Sequence, residues 1–271
     1  MTATARPRRS VLYMPGSNAR ALEKGRTLAA DALILDLEDA VAPDAKATAR
    51  TQIATAVRAG GYGGRELIVR VNALDSPWGP DDIAAIAGSG ADAILLPKVE
   101  SAAMVHAAER RMDAAGAPPS MAIMCMMETP LGMLNAAAVA GASARLSCLV
   151  MGTSDLAKDL HASHTPQRLP MLTSLGLCLL AARAHGLAIV DGVHLDLDDD
   201  DGFAAACRQG RELGFDGKAL IHPKTIATAN EVFAPSPDEV VFSHRIIAAH
   251  ADATAAGQGV GVVDGKLIEN L

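Results

Sequence analysis

Carboxylates follow two of the apolar segments in this sequence. Seven apolar residues at 121–127 precede Glu128, and the segment LSCLVMG at 146–152 leads to Asp155. An ionised carboxylate that leaves water costs several kcal/mol unless a partner compensates its charge. Two carboxylates that converge on Mg²⁺ would supply this compensation, because Mg²⁺ is usually held by one or two carboxylates plus water and substrate oxygens. The alternative is that Glu128 stabilises the N-terminus of a helix that begins near Pro130.

Two cationic residues also lie in or directly after apolar segments. Arg70 stands inside LIVRVN, where an unpaired guanidinium would be costly and where its planar fork suits a carboxylate. That carboxylate belongs either to a substrate or to one of the acids of the preceding segment, which are Asp36, Glu38 and Asp39. Lys98 ends the segment DAILLPK, and it either faces a substrate or forms a salt bridge at the start of the next helix.

The elements that position these residues follow a repeated strand–helix pattern. Eight short apolar segments, mostly continuous rather than alternating, are separated by Ala-rich segments with helical spacing, as expected for parallel strands that are covered on both faces. The predicted strands are 10–15, 32–38, 66–72, 92–98, 121–128, 146–152, 187–192 and 218–223. Eight such units predict an α/β fold, a (β/α)8 TIM barrel over residues 1–233. A helix and tail at 234–271 form an appendage that we expect to cover a neighbouring subunit.

Active sites of such barrels lie at the C-terminal ends of the strands. Ionisable residues stand near the ends of nearly all the predicted strands, including Asp191 after the seventh and His222 after the eighth. This placement predicts that the polar residues described above converge on one site.

Composition limits the function further. The chain has 271 residues and a net charge of −7, which argues against a nucleic-acid or anionic-membrane partner. Its four cysteines form no CxxC pair, so reduced thiols are expected. The apolar run near the N-terminus is too short for a signal peptide, and no run of about 18 apolar residues occurs. We therefore predict a cytoplasmic protein.

Eight motifs occur in order along nearly the whole chain. They are RSVLYMPGSN, LILDLEDAVAPDAKATAR, VRVN, LPKVES, ETPLG, GTSDLAKDL, DGVHLD and GFDGKALIHPKT. With these motifs the chain resembles the citrate lyase beta-subunit family of CoA-ester lyases, which is related to the HpcH/HpaI aldolases. The resemblance implies a TIM barrel, dependence on Mg²⁺ with Mn²⁺ as an alternative, and assembly into homotrimers or hexamers.

The same resemblance implies roles for individual residues. Glu128 and Asp155 correspond to the metal ligands, and Arg70 to the residue that binds the carboxylate of a 2-oxo acid. Further residues match positions that line or support the substrate or CoA cleft, namely Tyr13, Glu38, Asp39, Lys46, Lys98 and His222. Relatives carry a C-terminal GKMID-like motif whose aspartate acts as acid/base in a neighbouring subunit. The corresponding segment of this sequence is DGKLIENL, with Glu269 at the position of that aspartate.

The implied reaction is Mg²⁺-dependent carbon–carbon cleavage of a 3-hydroxyacyl-CoA of the malyl-, citramalyl- or citryl-CoA type, giving acetyl-CoA and a 2-oxo acid. Arg70, Glu128, Asp155 and Glu269 would be its catalytic residues. The alternatives are an acyl-CoA thioesterase, a class II pyruvate-type aldolase that uses no CoA, and a weakly catalytic subunit of a multi-subunit citrate lyase.

Overall fold

The computed structural model describes residues 6–268, which form two compact units that divide between Phe233 and Ala234. The first unit contains eight parallel strands that close into a barrel in sequence order, with the first strand paired to the eighth. The strands are β1 Ser10–Pro15, β2 Ala32–Asp36, β3 Glu66–Arg70, β4 Ala93–Leu96, β5 Ala122–Met127, β6 Leu146–Met151, β7 Ala188–Asp191 and β8 Gly217–Leu220. The predicted TIM barrel is confirmed, and the predicted strand ends differ from the observed ones by up to three residues.

Helices surround this barrel. They are α1 Ala19–Gly25, α2 Lys46–Ala59, α3 Gly79–Ala87, α4 Ala102–Ala114, α5 Pro130–Leu134, α6 Ala136–Ala140, α7 Thr153–Asp159, α8 Leu172–Ala184, α9 Asp200–Leu213 and α10 Ile226–Val232. Capping residues define the ends of several of these helices. Asn18, Thr129 and Asp199 accept hydrogen bonds from the first turns of α1, α5 and α9, and Gly214 ends α9 at a φ of 103°. None of the helices in residues 6–268 has the length and apolar character needed to cross a membrane.

The core has two layers, because successive side chains of a strand point to opposite faces. One set fills the barrel interior, namely Val11, Ala32, Ile34, Ile68, Ala93, Leu95, Met124, Met126, Cys148, Val150, Val190 and Ala219. The intervening strand residues, such as Leu33, Val69 and Cys125, pack under the helices. Both faces of every strand are therefore apolar, which explains the continuous apolar segments in the sequence.

The second unit consists of one helix, α11 Pro237–Ala255, and a two-stranded antiparallel hairpin, β9 Gly261–Val263 and β10 Lys266–Ile268. Ser236 and Glu239 form a capping box at the start of α11. The hairpin turns at Asp264 and Gly265, which both have positive φ, the conformation that a two-residue Asp-Gly turn requires. Within this unit Arg245 forms an ion pair with Asp264. The sequence predicted the helix but not the hairpin.

Candidate active site

Alternation along the strands brings four polar side chains to the C-terminal mouth of the barrel. Tyr13, Asp36, Arg70 and Glu128 each stand two positions after an interior residue, which are Val11, Ile34, Ile68 and Met126, respectively. They share a cleft of about 340 Å³ whose other lining residues are Asp39, Ala40, Met151, Gly152, Thr153, Ser154, Asp155, Val193, Leu195 and Ile221. Strand parity therefore selects which strand-end residues reach the site.

Arg70 is buried and is held by acids of the β2 strand and the loop after it. Its Nε donates to Oδ1 of Asp36 at 2.7 Å and its Nη2 to Oδ2 at 2.6 Å, while Nη1 lies 3.1 Å from Glu38 Oε2 and 3.5 Å from Asp39 Oδ2. Its guanidinium also stacks over the Tyr13 ring at 4.9 Å. Burial alone would lower the pKa of Arg70, but the hydrogen bonds with Asp36 raise it above its ordinary value. The predicted internal ion pair of Arg70 is therefore confirmed.

Glu128 is almost completely buried, and 3% of its surface is exposed. Its Oε1 accepts a hydrogen bond from the backbone N–H of Lys98 at 2.8 Å. Burial raises the pKa of Glu128 to about 7, against the opposing effects of the Lys98 hydrogen bond and the nearby cations. The helix predicted near Pro130 is α5, and the side chain that caps it is Thr129, which accepts from Gly132 N, so Glu128 does not supply the capping hydrogen bond.

Lys98 connects three carboxylates of the site. Besides its backbone contact to Glu128, its Nζ lies 3.0 Å from Asp155 Oδ2 and 3.1 Å from Glu38 Oε1. These partners follow β5, β6 and β2, so Lys98 makes contacts across the barrel mouth rather than at the start of the following helix. Its φ of 48° is uncommon for a residue other than glycine.

The cleft carries an excess of negative charge. Four carboxylates line it beside Arg70, namely Asp36, Asp39, Glu128 and Asp155. Glu38 and Lys98 join this set through ion pairs with Arg70 and Asp155, respectively. Oxygen donors of this kind suit a hard divalent cation. Among residues 6–268 no three His, Cys, Asp or Glu side chains are arranged as a ready metal site. Glu128 and Asp155 are oxygen donors of the kind that suits Mg²⁺, for which water or substrate oxygens complete the coordination.

The family model described as HpcH/HpaI aldolase/citrate lyase matches residues 9–223, which include the whole cleft. The chain belongs to this family. It is 56% identical to the (3S)-malyl-CoA thioesterase of Cereibacter sphaeroides, over 100% of this chain and 93% of that protein. It is 37% identical to the citrate lyase subunit beta of Escherichia coli, over 97% of this chain and 89% of that protein.

A solved structure shares the fold of this family member. The CitE protein of Mycobacterium tuberculosis, in complex with magnesium, acetoacetate and coenzyme A, superposes with a TM-score of 0.77 and 28% sequence identity. The match covers 98% of this chain and 94% of the CitE chain. Magnesium and small acyl ligands therefore occur in a structural neighbour.

Lys46 and His222, which the resemblance places in or around the cleft, do not line it. Lys46 is buried behind the loop after β2, where its Nζ donates to the carbonyl oxygens of Leu37 and Glu38 at 2.9 Å and to Asn72 Oδ1 at 2.6 Å. It therefore supports the loop that carries Glu38. His222 is exposed, and its Nδ1 accepts from the N–H of Lys224 in the short turn Pro223–Thr225.

The alternation along β8 explains the position of His222. Ala219 faces the barrel interior, so Ile221 continues that face into the cleft and His222 falls on the opposite side. Asp191 has the same outward parity on β7, and it is paired with Lys218 at 2.8 Å and Arg168 at 2.7 Å outside the cleft. The sequence analysis missed Thr153, Ser154, Val193, Leu195 and Ile221, although strand parity gives Ile221. Glu269 lies outside the described residues.

Proposed function

We propose that this chain is a Mg²⁺-dependent enzyme that hydrolyses the thioester of a malyl-CoA-type 3-hydroxyacyl-CoA, releasing the hydroxy acid and CoA. The observation that carries the proposal is the cleft at the barrel mouth, where Glu128 and Asp155 lie with Arg70, and where Glu38 and Lys98 form ion pairs with the lining residues. Relatives named (3S)-malyl-CoA thioesterase, 54% to 56% identical over the whole chain, support the choice of substrate and reaction.

Glu128 and Asp155 are the residues that would hold Mg²⁺. They line one cleft, and Gly152 leaves room for the Glu128 carboxylate. When bound, the ion supplies Lewis acidity to substrate oxygens and offsets the negative charge of the cleft.

The remaining groups of the cleft suit substrate binding and proton transfer. Asp36 occupies Nε and one N–H of Nη2 of Arg70, and Nη1 lies beside Glu38 and Asp39, so the second N–H of Nη2 is the one proposed to bind a substrate carboxylate. Glu38 is the proposed general base. Burial raises the pKa of Glu38 against the opposing effect of Arg70, and the neighbouring Asp39 raises it further, which strengthens Glu38 as a proton acceptor.

Hydrolysis then proceeds by one addition and one elimination. Glu38 takes a proton from water, the water oxygen attacks the thioester carbonyl carbon, and the carbon–sulfur bond breaks. The CoA sulfur leaves with the bonding electron pair and acquires a proton. Arg70 is buried, so a substrate carboxylate that binds its guanidinium would be held away from bulk water.

Carbon–carbon cleavage is the second candidate reaction, and it is favoured by the citrate lyase subunit beta relatives at 36% to 37% identity. Here a base takes the proton of the 3-hydroxyl group, the carbon–carbon bond breaks to a 2-oxo acid, and its electrons pass to a thioester enolate. Glu269 would protonate the enolate. We propose, from the family resemblance, that a homotrimer supplies Glu269 from a neighbouring subunit. The cytoplasmic location also stays a prediction.

The product mixture from (3S)-malyl-CoA tests the proposal. We expect free CoA and malate, formed with Mg²⁺ and abolished by EDTA, with ¹⁸O from labelled water in the malate carboxylate. Acetyl-CoA and glyoxylate would instead establish the lyase, and citramalyl- and citryl-CoA extend the comparison. Glu128→Gln and Asp155→Asn should be inactive. Asp113→Asn should match the wild type, because Asp113 lies on α4, its side chain is 60% exposed, and its ion pair with Arg145 is outside the cleft. No Mg²⁺-dependent product from any of these thioesters contradicts the proposal. Turnover of free hydroxy-oxo acids without CoA would indicate the aldolase.

A further inference from the structure

Lys98 contacts both carboxylates of the proposed Mg²⁺ site through different parts of the residue. Its backbone N–H donates to Glu128 Oε1 at 2.8 Å, and its Nζ lies 3.0 Å from Asp155 Oδ2. The same Nζ lies 3.1 Å from Glu38 Oε1. One residue therefore orients the first carboxylate and neutralises the second.

The backbone of Lys98 is held in an unfavourable conformation to make these contacts. A φ of 48° lies in the left-handed region, which a lysine adopts only where the surrounding structure enforces it. The N–H to Glu128 fixes the main chain, and the side chain remains 42% exposed. The ammonium group is thus attached to a rigid backbone but is free to move between carboxylates at the mouth of the cleft.

An ammonium ion and a divalent cation compete for the same carboxylate oxygens. Asp155 is the proposed ligand that Lys98 contacts with its charge, while Glu128 is contacted only by its neutral N–H. Glu38 offers the ammonium a second carboxylate at almost the same distance. Because the ammonium contacts both carboxylates at once, loss of its contact with Asp155 would free Asp155 without leaving the ammonium unpaired.

We propose that Lys98 is a tethered counter-cation that gives up its contact with Asp155 to Mg²⁺ and keeps its contact with Glu38 when the metal binds. This inference rests on the proposed function for the identity of the metal ligands. It assigns Lys98 a role in setting metal affinity. The expected consequence is that wild-type protein binds divalent cations less tightly than a variant without the ammonium group.

Metal affinity of the full chain, measured without substrate, tests the inference. After removal of metal with EDTA and dialysis, Mg²⁺ binding is followed by calorimetry and Mn²⁺ binding by electron paramagnetic resonance. We expect Lys98→Met to lower the metal Kd by about five- to tenfold, since the competing charge is removed. Lys98→Arg should stay within about twofold of the wild type. Lys98→Gly, which also tolerates the positive φ, should tighten binding like Lys98→Met and so exclude a backbone effect.

Lys158→Met is the matched control. Lys158 is exposed and lies in the last turn of α7, the helix that carries Asp155, so its loss removes a nearby charge without removing the contact. The inference is overturned if Lys98→Met and Lys158→Met change the metal Kd equally, or if Lys98→Met binds the metal no more tightly than the wild type does. If wild type and Lys98→Met both bind no divalent cation, or if Glu128→Gln binds as the wild type does, the proposed metal site itself fails. These outcomes separate the two proposals.

Discussion

Gly152 lies directly beside Glu128, and a methyl group at position 152 would overlap both Cβ and Oε2 of that glutamate. The glycine follows β6 and precedes the helix that carries Asp155. The absence of a side chain at position 152 is therefore what allows the buried carboxylate to occupy the barrel mouth.

Gly152→Ala should lower the hydrolysis rate by about 100-fold or more, because displacement of a catalytic group by an ångström carries a cost of this size. It should also weaken Mg²⁺ binding. Gly176→Ala is the control, since the position on α8 has open space around it. Steady-state kinetics and calorimetry measure both effects. Wild-type kinetics for Gly152→Ala would show that Glu128 does not need this position.

Glu128→Gln should stabilise the protein in EDTA at neutral and alkaline pH. Because burial raises the folded-state pKa of Glu128 to about 7, folding is penalised as pH rises from the ordinary value of 4.5 through 7. At roughly 1.4 kcal/mol for each unit of pKa, the gain in unfolding free energy should approach about 3 kcal/mol above pH 8.

Urea denaturation from pH 4 to 9 measures this gain. Below the ordinary pKa of glutamate the variant and the wild type should have equal unfolding free energies, since the carboxyl group is then protonated in both states. Mg²⁺ should stabilise the wild type but not Glu128→Gln. A difference that is independent of pH would contradict the prediction.

Glu38→Gln should lower the rate of hydrolysis by about 10²- to 10⁴-fold, the range typical of general-base removal. In the wild type, the rate should rise with pH as Glu38 loses its proton, with a midpoint above that of an ordinary glutamate because burial raises its pKa. The variant should lack this rise. Asp44→Asn is the control, because Asp44 is exposed in the short turn Pro43–Ala45 that follows the same loop, and it does not line the cleft. An unchanged pH–rate profile for Glu38→Gln would exclude Glu38 as the base.

Glu269 should separate the two candidate reactions. If it acts as the acid for an enolate, Glu269→Gln abolishes acetyl-CoA formation but leaves thioester hydrolysis within about threefold, since hydrolysis forms no enolate. Glu269→Asp, which restores the residue of the GKMID-like motif, should raise the ratio of acetyl-CoA to free CoA. Product chromatography of (3S)-malyl-CoA digests measures this ratio. An equal loss of both products would show that Glu269 serves a step common to both reactions.

The sequence by itself determined the barrel and the approximate composition of the site. Strands of a sheet that is covered on both faces are continuous apolar segments, and each segment can be recognised from neighbouring residues alone. The eight strands could therefore be found without the structure. Because parallel strands end at one face of the barrel, Arg70, Glu128 and Asp155 could also be predicted to converge, and they do line one cleft.

Only the tertiary structure decided which partner each charged group takes. Arg70 binds Asp36, which is 34 residues away in the chain, and Lys98 contacts Asp155 across the barrel mouth. Lys46 instead supports the loop after β2, and the side chain of His222 lies outside the cleft. Such choices depend on strand parity and on contacts between residues far apart in the chain, where several ion pairs of similar energy compete. The fold resolves this competition through distance and burial, which no local pattern encodes.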